Sequence, residues 1–283
     1  MSEDDVKTLA GSEKTREFYD RVGWTKEDGI LKDRLLFGAR KAGPLKQSIH
    51  LARTERLVAA MAQLGAGIRM LECGCGGNPE TAFLHLCKSY TGVDFSATGL
   101  GVAAEALSRT GIPFELKQAD ICKLPFAEGA FDAVYSAHAI YHIPDPEAQA
   151  AAYREALRVV RPGGMALFVM ANPFPLAFPF RLLRRCLAVT PVLGKALDAL
   201  RRKPPLPYLP MPLGWTRRIL EEAGEVRITS YAMPSTWFAQ NVSEQGWPGR
   251  MLWSWIGHAE ERWPRLSAHL GNYVCIMVRK HVG

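Results

Sequence analysis

The chain reads as one α/β domain, a parallel sheet with helices on both faces. Three observations predict it. From residue 68 onward short apolar runs alternate with amphipathic stretches, at the spacing of strand–helix–strand units. The first run, Ile68 to Glu72, empties into Cys73-Gly-Cys-Gly-Gly-Asn78, which sets glycines where a backbone turns sharply. Arg161-Pro-Gly-Gly164 closes a helical pattern just before another apolar run, as a strong stop signal does. Right-handed crossovers would then bring the strand C-termini to one rim.

In chain order, Ser12 to Leu64 reads as helical. Phe18, Tyr19 and Val22 share one face, Ile49, Leu51, Leu57, Val58 and Met61 another, and Gly65-Ala-Gly67 ends the pattern. Candidate strands follow at Ile68–Glu72, Tyr90–Asp94, Phe114–Gln118, Phe131–Ser136, Met165–Met170, Val226–Tyr231 and Tyr273–Arg279. The predicted helices between them are Pro79 to Lys88, Ser96 (as cap) to Arg109, Pro146 to Val160, and Thr216 to Ala223. Prolines from Pro173 to Pro212 interrupt the alternation. The division that results is a helical N-terminal cap (1–67), a ligand-binding core (68–172), a Pro-rich basic lid (173–213), and a C-terminal core (214–283) with a Trp-rich insertion at 234–272.

The 283 residues are 48% hydrophobic and 22% charged, a globular rather than disordered composition. No apolar run approaches the roughly 20 residues that span a bilayer. Met1-Ser-Glu-Asp-Asp lacks the apolar segment of a signal peptide, and the scattered cysteines lack zinc-site spacing. The expectations are a cytoplasmic protein with reduced thiols and no metal. Net charge is +7, concentrated in Arg181, Arg184, Arg185, Lys195, Arg201, Arg202 and Lys203; such a segment attracts anions or is simply a solvated face.

Acidic residues close the early strands on the same rim. Glu72 ends the first, where its carboxylate accepts from something cationic or hydroxylated. Asp94 ends the second, placed to hold both hydroxyls of a ribose, and Asp120 follows the third, placed to accept from an exocyclic amine. Phe95 and Ile121 come next to them and suit a flat base. Together these describe an adenosine pocket, although Asp94 and Asp120 also suit helix- and turn-capping. A dinucleotide fingerprint wants glycine where Pro79 stands, and Glu72 would repel phosphates. S-adenosylmethionine, cationic and free of phosphate, fits better.

Over about Met70 to Asn172 the chain resembles the class I S-adenosylmethionine-dependent methyltransferases, in particular the group that includes the ubiquinone and menaquinone methyltransferases. Leu71-Glu-Cys-Gly-Cys-Gly, Gly92-Val-Asp-Phe-Ser, Ala119-Asp-Ile-Cys-Lys-Leu-Pro-Phe, Phe131-Asp-Ala-Val-Tyr-Ser and Glu155-Ala-Leu-Arg-Val-Val-Arg-Pro-Gly-Gly carry the resemblance in order. It implies a Rossmann-like seven-stranded sheet with S-adenosylmethionine as cofactor. Gly74 and Gly76, with Ser136 and Ala137, would lie by its methionine part, Asp94 at the ribose, and Asp120 with Ile121 at the adenine. Asn78 stands where the family often has a third glycine; Asn tolerates left-handed backbone better than most residues.

Methyl transfer from a sulfonium depends largely on positioning and exclusion of water. A general base is needed only for a protonated nucleophile of high pKa. His138, Tyr141 and His142, just past the fourth strand, and Tyr19 are the candidates; for the histidines, plain packing is the competing reading. The Asn/Asp-Pro-Pro-Tyr/Phe signature of base methylation is absent from the fourth strand, which disfavours nucleic acid. The insertions bring Phe174, Phe178, Phe180, Tyr208, Trp215, Trp237 and Phe238, a cap for a small apolar or aromatic acceptor. Two other readings stand beside it. Residues 180–203 suit an interfacial helix that reaches a lipid acceptor, and the cofactor could serve non-methyl chemistry or regulation. Oligomeric state is not legible.

Overall fold

The computed structural model describes residues 13, 15–27, 30–32, 43–175 and 206–282. A small antiparallel hairpin, β1 (Lys26–Glu27) and β2 (Ile30–Leu31), precedes the main sheet. The sheet has seven strands: β3 (Ile68–Cys73), β4 (Cys87–Asp94), β5 (Phe114–Gln118), β6 (Phe131–Ala137), β7 (Val160–Ala171), β8 (Gly224–Ala232) and β9 (Tyr273–Lys280). Their spatial order is β5-β4-β3-β6-β7-β9-β8. The order reverses beside β3, where an open α/β sheet leaves a crevice at its C-terminal rim. The sheet is mixed rather than parallel, because β9 runs antiparallel between β7 and β8.

Both faces are covered, as the alternation predicts. Period-2 alternation turns Leu71 and Cys73 to one face and Ile68 and Met70 to the other. The first face packs against α3 (Pro146–Val159) and α4 (Leu213–Glu221). The second packs against α1 (Pro44–Met61) and α2 (Ala97–Leu107). Side-chain caps fix two of these starts. Ser96 accepts from Gly99 N–H at 3.0 Å, and Asp145 from Ala148 N–H at 2.6 Å just ahead of Pro146, each contributing about 1 kcal/mol. The insertion after β8 forms α5 (Thr236–Asn241), α6 (Gly246–Arg262) and α7 (Pro264–Leu270).

Two predicted helices are corrected. The helical reading of 12–64 holds only in part: residues 15–18 are helical and run into a π-helical turn at Tyr19–Gly23, the β1–β2 hairpin then interrupts the pattern, and α1 starts at Pro44. Pro79 to Lys88 forms one 3-10 turn, Leu84–Leu86. Cys87 pairs with Ile68 and so already belongs to β4. Phe83 and Leu84 are buried in this connection. The lid segment 176–205, including Phe178, Phe180 and the basic run through Lys203 with its membrane contact at 180–203, lies outside the described residues.

At the opposite end of the sheet Asp132 joins three strands. It accepts from Arg69 backbone N–H at 2.8 Å and from the guanidinium groups of Arg69 (3.1 Å) and Arg161 (2.6 Å). Partial burial works to raise its pKa, but these donors outweigh it and hold the carboxyl down at about 2.

Candidate cofactor and acceptor site

The glycine loop is built by the end of β3. Gly74 and Gly76 adopt left-handed angles, φ 75° and 51°, which a side chain would strain. Gly74 N–H donates to Val93 C=O at 2.7 Å, and Gly76 N–H to Asp94 Oδ2 at 2.8 Å. The other oxygen of Asp94 accepts from Ser96 N–H at 2.8 Å. Asp94 therefore braces the loop and the start of α2 at once. The Phe95 N–H also faces this carboxylate, and its remaining lone-pair capacity is open to a ligand hydroxyl. Burial pushes its pKa up to about 6, against the lowering pull of those N–H donors. Asn78 is exposed and does not adopt the left-handed angle; its N–H donates to Cys75 C=O at 3.3 Å.

Glu72 lies beneath the loop, on the face it shares with Met70. Its Oε2 accepts from Glu80 N–H at 2.9 Å and from Tyr90 Oη–H at 2.8 Å. Burial pushes its carboxyl up to about 8. It orders the loop from below, and its hydrogen bonds within the protein are to Glu80 and Tyr90. Ser136 is likewise committed, its Oγ–H donating to Cys73 C=O at 2.8 Å; it holds β6 to the loop, with Ala137 half-buried beside it.

The N-terminal segment covers this rim. The Trp24 indole packs over Gly76 and Gly77 and against Gly99, so that a Cβ at any of the three would run into it. Tyr19 stacks on Trp24 at 5.1 Å and meets the edge of Phe95 at 6.5 Å. Asp20 Oδ1 accepts from Ser96 Oγ–H at 2.6 Å. The glycines thus admit an indole from the chain itself, and Trp24 Nε1 is buried without a partner among the described residues. Tyr19 belongs by its ring contacts to the Phe95 side of the rim. Trp24 and Asp20 were not legible, because nothing in their local pattern ties them to a loop about fifty residues on.

Phe95 and Ile121 are half-buried, and Gln118 Nε2–H donates to Phe95 C=O at 2.9 Å. Asp120 is exposed; its Oδ1 accepts from Cys122 N–H at 2.8 Å, the capping alternative.

His138 and Tyr141 do come together. His138 Nδ1 lies 2.8 Å from Tyr141 Oη. The imidazole meets Tyr231 at 5.8 Å and Tyr273 at 5.1 Å edge-on. His138 alone among the described non-glycine residues has positive φ, 57°, a conformation in which histidine is enriched. Its N–H donates to Val169 C=O at 3.0 Å. Burial, helped by His142, pushes its pKa down to about 4. His142 Nδ1 lies 2.7 Å from Pro207 C=O, with burial also lowering its pKa. The two tyrosines from β8 and β9 were missed because antiparallel insertion of β9 brings them to the rim.

Among the described residues no helix is long and apolar enough to cross a membrane, and no group of three or more His, Cys, Asp or Glu is placed to hold a metal ion.

Comparison with known proteins is consistent with this arrangement. Residues 71–168 match the family described as "Methyltransferase domain". The chain is 33% identical over 119 residues to a sterol 24-C-methyltransferase of Gibberella zeae, covering 41% of this chain and 30% of that protein. It is 31% identical over 170 residues to the 2-methyl-6-phytyl-1,4-hydroquinone methyltransferase of Synechocystis, covering 54% and 50%. The matched stretches thus span half or less of these relatives' own length. The fold is shared with the crystal structure of the N-methyltransferase NodS of Bradyrhizobium japonicum in complex with S-adenosyl-L-homocysteine. There the TM-score is 0.57 at 17% identity, over 94% of this chain and 98% of that one.

Proposed function

We propose that the chain, which matches the methyltransferase-domain family over residues 71–168, is a class I S-adenosylmethionine-dependent methyltransferase acting on a small apolar or aromatic molecule. The observation that carries the reading is the double brace at Asp94. One buried carboxylate joins the glycine loop to the start of α2 and keeps lone pairs for a ribose. The residues fit the cofactor. Gly74 and Gly76 set the turn of the loop at the rim, half-buried Phe95 and Ile121 suit a flat base, exposed Asp120 suits the amine, and the Trp24 N–H, without a partner among the described residues, offers a donor. When bound, S-adenosylmethionine supplies an electrophilic methyl on a sulfonium.

The protein's own contribution is positioning and exclusion of water. His138, neutral near physiological pH, holds Tyr141 Oη and faces Tyr231 and Tyr273. That aromatic wall suits an apolar or aromatic acceptor, and a neutral imidazole can take a proton from one that arrives protonated. The acceptors named for the two curated relatives, a sterol and a phytyl-hydroquinone, support an apolar class.

Calorimetry with S-adenosylmethionine tests the cofactor, with Asp94→Ala expected to weaken binding by roughly 100-fold, as loss of a buried charged acceptor does. Isotope-labelled cofactor with pools of apolar and aromatic acceptors, read by mass spectrometry, tests the reaction. Cofactor binding without any methylated product would redirect the reading to non-methyl chemistry or regulation; no binding would end it.

A further inference from the structure

We infer that the outward face of α6 and α7 docks on an anionic lipid surface. Trp247, Met251 and Trp255 recur every fourth residue along α6 and are 69%, 56% and 55% exposed. Trp253, Ile256 and Ala259 bury the opposite side. The solvent-directed side of the helix therefore carries three large aromatic or apolar side chains among exposed Ser254, His258 and Arg262, more apolar bulk than an ordinary surface helix presents. Exposed Trp263 and Leu266 continue it across the break into α7. Exposed apolar side chains gathered on one element mark an interaction surface.

Charge selects the occupant. Exposed Arg250, Arg262 and Arg265 border the stripe, with one exposed carboxylate, Glu261, among them. Indoles seat at the headgroup level of a bilayer, with their N–H toward water. Arginines lay their stems along apolar surface and keep the guanidinium in the headgroups. An amphipathic helix with Trp on one face and cations beside it is the composition of an interfacial anchor.

The anchor stands beside the site. The insertion leaves β8 at Ala232, which pairs with Tyr273 at the rim where β7 ends. Asn172 Nδ2–H donates to the carbonyls of Ala268 (3.3 Å), His269 (3.0 Å) and Gly271 (2.9 Å), tying α7 to the end of β7. Docking would set the acceptor side of the rim against the bilayer. The surface itself does not rest on the methyl-transfer reading.

The test is flotation of the full chain with phosphatidylcholine vesicles, with and without phosphatidylglycerol, and quenching of tryptophan fluorescence by brominated lipid. Binding to the anionic vesicles, weakened by salt, and quenching are expected. Trp247→Ser/Met251→Ser/Trp255→Ser and Arg250→Glu/Arg262→Glu/Arg265→Glu should each lower it by roughly tenfold or more. The circular-dichroism melt should not change, because these side chains are exposed. Indifference of the wild type to anionic vesicles overturns the proposal, as does wild-type binding by either triple variant. A wild-type dimer that the Trp/Met variant converts to monomer, without vesicle binding, assigns the face to a second copy and also overturns it.

Discussion

Glu72→Gln should make this protein more stable at neutral and alkaline pH than the natural sequence. The carboxyl has an ordinary value of 4.5 and is pushed up to about 8 by burial in the folded chain. Between those values the folded state keeps a proton that the unfolded chain has released. Stability is therefore fully present below pH 4.5 and falls as pH rises toward 8, by about 1.4 kcal/mol per pH unit. Over 3.5 pH units that is about 4 to 5 kcal/mol, a large part of an ordinary domain's total. Glutamine keeps a carbonyl oxygen to accept from Glu80 N–H and Tyr90 Oη–H and has no proton to lose. The assay is urea unfolding of both proteins, without ligand, from pH 5 to 9. The gap should widen with pH and level off above about 8. Parallel curves across that range would refute the assignment of a protonated Glu72 under the loop.

Three further outcomes follow from neighbouring contacts. Trp24→Ala should undock residues 15–27 from the loop at a cost of up to about 3 kcal/mol, the low end for a buried aromatic; hydrogen exchange should rise there while β3 and β6 stay protected, and unchanged protection at 15–27 would contradict the packing. His138→Ala should leave cofactor affinity unchanged and lower turnover by about 100-fold; because burial holds His138 near 4, the wild-type rate profile should show no histidine limb between pH 5 and 8. Asp132→Ala should cost about 1 kcal/mol, a modest figure because Arg69 and Arg161 are partly exposed. Asp132 sits at about 2 rather than 3.8, so its contribution is present above pH 3.8 and is lost as pH falls toward 2; acid unfolding of the variant should lack that segment.

The sheet and its ligand rim were legible because they depend on local signals. Alternation, caps at Ser96 and before Pro146, and the Gly74–Gly76 turn each declare themselves within a few residues. The failures share one cause, which is that distant pairing outweighed local pattern. Pro79 to Lys88 has helical spacing, yet Cys87 is drawn into register with Ile68. Ser12 to Leu64 is apolar at helical intervals, yet a hairpin divides it. At the site, Asp94 and the glycines could be paired from motif spacing. Trp24 could not, nor could Tyr231 and Tyr273 beside His138, since only the completed sheet joins them.

The strand order carries a consequence for biosynthesis. β9 is the last of the nine described strands but lies inside the sheet, with β7 on one side and β8 on the other. While a ribosome is still making residues 273–280, β7 presents a bare apolar edge and β8 has no partner among the described strands. Such an edge invites pairing with other nascent chains. The nucleotide-type half, β3 to β6, can close early from nearby segments, whereas the other half waits for its keystone. A stalled or shortened chain lacking β9 should therefore aggregate rather than merely lose activity, and its arrest should coincide with the release of β7 to chaperones.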